Sequence, residues 1–334
     1  MEATQMNVDF HAHALVPDLL SDSGPVGWRP VIIPHESGGY FVQNAYHTNG
    51  PIFNPMIEPD QIIATRQAAG IDLTVICTPP HAFFYELAPT EGASAVQNDG
   101  LSRVVAEHQG HLAGLGTLPL QDVPLAVKEL ERVMTDLELS GVEIASNING
   151  EDLGSERFRP FWEAAEALGA VVFIHPAFSG SIGGERMKTY DLRRIMGNLM
   201  ETAQAAAHLI FSGILEAFPD MKIVLAHGGG VLPYLVGRLD HGYQVRTKPK
   251  ENITRLPSTY LRMFYYDTVT HYGPALRYLI DLVGVDHVLL GSDYPFDMGY
   301  DRPVEFVNQL PGLSQVDRER IVGGNALQLL GRTP

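Results

Sequence analysis

The sequence predicts a closed (β/α)8 barrel, and three observations carry the prediction. Eight short apolar, β-branched runs recur along the chain, each ended by a polar or Gly/Pro cluster. Each run has a longer neighbouring stretch with the apolar spacing of an amphipathic helix. Four of the runs end in a histidine or a carboxylate, at the end of the strand where barrel enzymes build their chemistry.

In chain order, the first strand is expected from Asn7 to Phe10 and leads into the histidines of MNVDFHAH. The second, Leu73 to Cys77, follows a helix expected from Pro59 to Ala69. Leu112 to Leu118 is the third, between helices at Ala93 to Gln109 and Asp122 to Leu139. Val142 to Ala145 and Val171 to Ile174 flank a helix at Glu156 to Leu168. Lys222 to Ala226 lies between helices at Leu199 to Phe218 and Leu232 to His241. Met263 to Tyr266 and Val288 to Leu290 complete the eight, with helices at Gly273 to Val283 and Arg302 to Gln309. Length alone allows two domains, but the eight alternating pairs predict one barrel over residues 1–334.

One segment interrupts the alternation. Leu15 to Ile57 separates the first strand from its helix and carries Trp28, Tyr40, Phe41, Tyr46 and Phe53 among repeated Pro and Gly. A loop this long inside a compact domain is usually functional or separately structured, so it reads as a flap, with a small β-hairpin piece, over the barrel mouth. A second irregular stretch, Gly242 to Leu261, is comparatively basic and reads as a solvated loop or subunit contact.

Composition excludes several function classes. With 23 Lys plus Arg against 39 Asp plus Glu, the net charge is 23 − 39 = −16, which argues against nucleic-acid and anionic-membrane partners. The single cysteine, Cys77, excludes an internal disulfide framework and reads as a small core residue. No leader-like segment or apolar run of transmembrane length is visible, so the expected location is the cytoplasm.

The chemistry is expected where the strands end. His11 and His13 stand two residues apart, so the period-two pleat puts both side chains on one face. VVFIHPAF puts His175 at the end of the fifth strand, VLAHGGG puts His227 at the end of the sixth, and LLGSDYPF puts Asp293 after the eighth. An HxH pair alone is a weak signal, better read as two ordinary core or surface histidines. Neutral imidazoles plus one carboxylate converging on a single mouth suit a divalent ion, Zn²⁺ and equally Mn²⁺ or Fe²⁺, since the ligands do not distinguish among them. Such an ion lowers the pKa of its water toward neutrality. HGGG precedes a helix, so its glycines suit both an anion-binding nest and tight strand-to-helix packing.

With HxH on strand one, HPAF on five, AHGGG on six and GSDYPF on eight, the chain resembles the amidohydrolase superfamily, in particular its aminocarboxymuconate-semialdehyde decarboxylase-like branch. The likeness covers nearly the whole chain and is densest from Ile174 to Met298, through the segments GGERMK (Gly183 to Lys188), FSGILEAFP (Phe211 to Pro219) and LVGRLD (Leu235 to Asp240). The resemblance implies that His11, His13, His175 and Asp293 bind one metal ion, commonly zinc. It implies His227 as the catalytic base, and Arg238 as an anion clamp supplied by the neighbouring subunit of a homodimer. It further implies decarboxylation: metal-bound hydroxide adds to an electron-poor carbon, Asp293 or His227 shuttles the proton, and carbon dioxide leaves without an organic cofactor. That chemistry needs an electron sink, so the expected small-molecule substrate is a planar unsaturated or hydroxyaryl carboxylic acid, with Phe178, Tyr190 and Phe296 as candidate walls. A hydrolase or hydratase of a lactone, amide or conjugated keto acid would use the same ligands, and a non-catalytic binding barrel is the remaining alternative.

Two positions depart from the family pattern. The decarboxylases that this chain resembles hold the substrate carboxylate with basic residues of the insert, yet no Lys or Arg occurs from Val31 to Ile57. His35, His47, Asn44 and Asn49 are the polar groups there, poorer carboxylate partners than a guanidinium fork. Tyr190 stands where the family has a substrate-side Trp. Of the other acids, Glu143 in GVEIASN reads as a solvent-paired carboxylate before it reads as a further ligand, and Asp267 in FYYDT is comparable. Asp9 is expected to point inward beneath the metal or to orient a ligand histidine.

Overall fold

The structure, a computed structural model, describes residues 6–20, 31–34, 36, 39–43, 48–52, 54–88, 93–176 and 182–332. Its strands, in chain order, are β1 (Val8–His13), β2 (Val31–Pro34), β3 (Tyr40–Gln43), β4 (Thr48–Ile52), β5 (Leu73–Cys77), β6 (Leu112–Leu115) and β7 (Gly141–Ala145). There follow β8 (Asn147–Ile148), β9 (Glu151–Asp152), β10 (Val171–His175), β11 (Lys222–Leu225), β12 (Phe264–Asp267) and β13 (Val288–Leu289).

Eight of these form a parallel barrel in the order β1-β5-β6-β7-β10-β11-β12-β13. Two seams hold it closed. Gly116 N donates to Gly141 O and Glu143 N to Gly116 O, joining β6 to β7. Phe10 N donates to Leu290 O and Asp293 N to His11 O, joining the eighth barrel strand back to β1. This is the (β/α)8, or TIM, barrel that the alternation predicts.

Alternation along the strands divides the core. Phe10, Val75, Ala113, Phe173 and Val224 fill the barrel interior, closed at one end by Ala326 and Leu327. Ile76, Ile144, Ile174 and Leu225 face outward against the helices. The helix Val123–Thr135 is typical of the outer layer: Asp122 caps it by accepting from Leu125 N, and Ala126, Leu130 and Val133 form its buried stripe.

The first strand is irregular. Its pairing with β5 slips between Asp9 and Ala12, so that Phe10 and His11, although consecutive, both bring their rings to Phe173, at 5.9 and 4.8 Å. A bulge of this kind resets which side chains point inward. The expectation that Asp9 points into the barrel is therefore overturned. Asp9 lies on the outer side, 3.3 Å from Nε of Arg66 on the helix Pro59–Ala68.

Within the segment 15–57, β2, β3 and β4 form a three-stranded antiparallel sheet, one strand more than the expected hairpin. The helix expected from Leu199 to Phe218 is two helices, Asn198–Phe211 and Ile214–Ala217. They break at Gly213, whose φ of +79° and approach to Asn252 O leave no room for a Cβ. The helix from Leu232 instead runs on to Val245, beyond the expected end at His241. No helix among the described residues is long and apolar enough to cross a membrane.

Candidate active site

The barrel brings His11, His13, His175 and Asp293 together from three strand ends, all of them buried, with one donor atom of each lying within 4.8 Å of the others. Backbone and side-chain oxygens set each imidazole. His11 Nδ1 lies 2.6 Å from Asp267 Oδ2, His13 Nδ1 3.3 Å from Thr78 O, and His175 Nδ1 3.1 Å from Pro176 O. With a proton on each Nδ1 donating to these oxygens, the three Nε2 lone pairs are left for a common centre.

The spacing fits a metal ion. His11 Nε2 and His13 Nε2 are 3.2 Å apart, and Asp293 Oδ1 is 3.2 Å from the first and 3.1 Å from the second. Two donors each about 2.1 Å from one ion, at tetrahedral to octahedral angles, lie about 3.0–3.4 Å apart. His175 Nε2 is buried with no hydrogen-bond partner among the described residues. A divalent cation is the partner that this acceptor set lacks, because an acceptor left buried without one costs free energy.

Electrostatics agree. Burial pulls the His11 imidazole down, but the Asp293 and Asp267 carboxylates outweigh it and lift it to about 10. Burial lowers His13, and holds His175 well below the ordinary histidine value, with the neighbouring imidazoles adding to the effect. Burial works against the Asp293 carboxylate, yet His11, His13 and His227 hold it well below the usual carboxylate range. The pocket therefore favours one positive charge beside an ionised Asp293, and a metal would displace the His11 proton.

His227 sits beside this cluster rather than in it. Its ring is 5.4 Å from that of His11 and 5.1 Å from that of His175, and its Nε2 is 3.5 Å from Asp293 Oδ2. Its backbone has φ +56°, at the start of the HGGG turn. The turn does bind an anion, but from within the chain. Asp267 Oδ2 accepts from His227 N at 2.8 Å, and Asp267 Oδ1 accepts from Gly228 N at 2.8 Å and Val269 N at 2.9 Å. The glycines also serve packing: a Cβ on Gly230, at φ +61°, would stand 2.0 Å from Leu199 O.

Asp267 and Glu143 thus correct the expectation of solvent-paired carboxylates. Both are wholly buried. Asp267 takes the role of orienting a ligand histidine that was expected of Asp9. Asp9 instead accepts from His11 N, Ser292 N and Ser292 Oγ, and so braces the backbone on either side of the site. Glu143 Oε1 is 3.9 Å from His13 Nδ1, on the ring edge away from the metal-facing Nε2. Burial pushes its carboxyl well above the usual range, which favours the protonated form. Cys77 is a buried core thiol as expected, raised by burial and by Glu143.

A cavity of about 880 Å³ opens over His175, His227 and Asp293. Phe296 forms part of its wall, 5.0 Å from the His13 ring, as does the buried His81, whose ring is 6.1 Å from that of Phe296. Tyr190 is not part of that wall: it stands 84% exposed at φ +59°. Arg238 is exposed on the helix Leu232–Val245 and lines no part of the cavity of its own chain. Phe178 and His47 lie outside the described residues, as do His35 and Asn44.

Arg194 does line the cavity, the one Lys or Arg among the described residues to do so, and sequence reasoning missed it. It lies in the π-helical turn Arg193–Gly197, half-exposed and 3.2 Å from Asp191. No spacing rule marks such a residue. Asp267 had a signal, a carboxylate ending a barrel strand like the other ligands, whose significance depends on what stands opposite it.

Comparison with known proteins gives one family and, among the relatives it finds, several decarboxylases. The amidohydrolase family model matches residues 8–332. The 2-amino-3-carboxymuconate-6-semialdehyde decarboxylase of Dictyostelium discoideum is 33% identical, with 98% of this chain and 92% of that protein covered. The crystal structure of 5-carboxyvanillate decarboxylase from Sphingomonas paucimobilis shares the fold with a TM-score of 0.82 at 24% identity, covering 99% of this chain and 100% of that one. So does that of a Polaromonas dihydroxybenzoic acid decarboxylase with bound manganese and the inhibitor 2-nitroresorcinol, with a TM-score of 0.79 at 24% identity, covering 98% and 97%.

Proposed function

The chain belongs to the amidohydrolase family, and from that premise we propose that it is a metal-dependent decarboxylase of a planar unsaturated or hydroxyaryl carboxylic acid, working without an organic cofactor. One observation carries the reading: three imidazole Nε2 atoms and Asp293 Oδ1 converge on one point, while His227 stands on the other oxygen of the same carboxylate. The curated relative over the full chain and the structural neighbours above are all named decarboxylases.

In this reading His11, His13, His175 and Asp293 hold the ion, which we take as zinc, with manganese, present in the Polaromonas structure, as the alternative. A divalent ion in this donor set would supply Lewis acidity and a water of lowered pKa. His227 Nε2 takes and returns the proton that the carbon skeleton needs, and Asp293 Oδ2, 3.5 Å away, stabilises the imidazolium formed. Phe296 presents a flat face to a planar substrate. Arg194 receives an anionic group at the cavity mouth, a task for which residues 31–57 supply no Lys or Arg. Arg238, turned away from its own cavity, serves a partner's site in a homodimer, and the sheet of β2, β3 and β4 belongs to a cover over the mouth of a single barrel domain.

The test is to load the protein with Zn²⁺ or Mn²⁺ and offer 2-amino-3-carboxymuconate semialdehyde, 2,6-dihydroxybenzoate and 5-carboxyvanillate. Release of carbon dioxide with loss of its mass from the substrate supports the reading. Addition of water without carbon dioxide would replace it with a hydratase or hydrolase.

A further inference from the structure

Asp267 accepts four hydrogen bonds on two oxygens. His11 Nδ1 and His227 N meet Oδ2, at 2.6 and 2.8 Å, and Gly228 N and Val269 N meet Oδ1, at 2.8 and 2.9 Å. Among the three histidines of the metal cluster, His11 alone gives its Nδ1 proton to a carboxylate; the Nδ1 atoms of His13 and His175 lie 3.3 and 3.1 Å from backbone carbonyls, with Cys77 Sγ also 3.6 Å from His13 Nδ1. The same oxygen that sets the His11 ring also holds the backbone of His227, which sits in the left-handed region at φ +56°, a conformation that a non-glycine residue keeps only when its surroundings impose it.

We propose that Asp267 is a positioning residue that couples the two halves of the site, fixing the His11 tautomer that presents Nε2 to the metal and, through its hold on His227 N and Gly228 N, fixing where the base stands. The proposal rests on the metal-site reading above. No amide can substitute for this carboxylate. Asparagine has one acceptor oxygen and one NH2, so in either orientation two donors face a donor. With the NH2 toward His11, that ring is driven to the opposite tautomer, with a proton on Nε2 aimed at the metal. With the NH2 toward Gly228 and Val269, the turn loses its anchor and His227 shifts.

The experiment is Asp267→Asn, read in two ways without substrate. Zn²⁺ affinity, measured by competition with a chromophoric chelator, should weaken about 10- to 100-fold, the usual effect of removing a group that orients a metal ligand. The ring ¹⁵N resonances of His227, in histidine-labelled Zn²⁺-loaded protein, should move as well. Wild-type affinity in a folded variant would overturn the tautomer role, and unmoved His227 resonances would overturn the coupling. The wild type decides the matter even if the variant does not fold. In its Zn²⁺-loaded form His11 should carry its proton on Nδ1, and a proton on Nε2, or Zn²⁺ on Nδ1, would overturn the proposal. Neither readout needs turnover, so failure of the decarboxylase reading would stay distinguishable from failure of this one.

Discussion

Oδ2 of Asp293 lies 3.5 Å from Nε2 of His227, while the other oxygen of the same carboxylate lies 3.1–3.2 Å from the Nε2 atoms of His13 and His11. One side chain therefore faces the metal donors with one edge and the base with the other. In the proposed reading this division separates two kinds of residue that sequence patterns alone treat alike, histidines that hold an ion and a histidine that moves a proton.

Replacing the base should spare the ion. His227→Asn removes the imidazole that flanks Asp293 but none of the four clustered donors. Metal stoichiometry by elemental analysis should match the wild type, while kcat falls about 10²- to 10⁴-fold, the usual worth of a general acid or base. Equal loss of metal would move His227 into the ligand set.

Replacing a ligand should empty the site. His175 Nε2 has no hydrogen-bond partner among the described residues, so the metal is what it serves. His175→Ala should retain little Zn²⁺ after dialysis at concentrations that leave the wild type loaded. Full occupancy in the variant would remove His175 from the coordination sphere.

The buried His81 should cost the metal-free protein stability in mild acid. His81, wholly buried, is held by burial at about 3, against 6.5 for an ordinary histidine, and His13 and His175 are lowered in the same sense. Each contributes stability that is present above about 6.5 and is lost as pH falls toward the folded value, because the unfolded chain takes up the proton first. His11, lifted to about 10, acts oppositely: its contribution is present below 6.5 and is lost as pH rises through about 10. Glu143 and Asp9, whose carboxyls burial raises, add stability as pH falls and oppose the histidines, so the prediction rests on a difference: in excess chelator, His81→Gln should lose less Tm than the wild type between about pH 7 and 5. A variant with the wild-type pH slope would contradict the contribution of His81.

Arg194 should matter for binding and not for metal. Arg194→Ala removes the one described Lys or Arg on the cavity wall. KM for an acidic substrate should rise about tenfold or more at unchanged Zn²⁺ content, the scale of a charge-assisted hydrogen bond partly open to solvent. An unchanged KM would leave anion binding to groups such as Arg238 of a partner subunit.

The βα alternation and the five residues His11, His13, His175, His227 and Asp293 were legible in the sequence because each depends on local rules. Strand and helix periods are short-range, and barrel closure turns every strand end toward one mouth, so polar residues at strand ends read directly as a site. What lies opposite a side chain is not a local property. The slip in β1 between Asp9 and Ala12 turned Asp9 outward to Arg66 and freed the orienting role for Asp267, which meets His11 across 256 residues of chain. Glu143 lies buried in the barrel, where its carboxyl is raised well above the usual range, and Arg194 reached the cavity wall from an irregular turn. The sequence by itself determined which chemistry the strand ends could carry. Only the tertiary structure decided which groups face which, because hydrogen-bond partners and burial follow from strand register and barrel closure, and a shift of one residue in either exchanges the inside of the barrel for the outside.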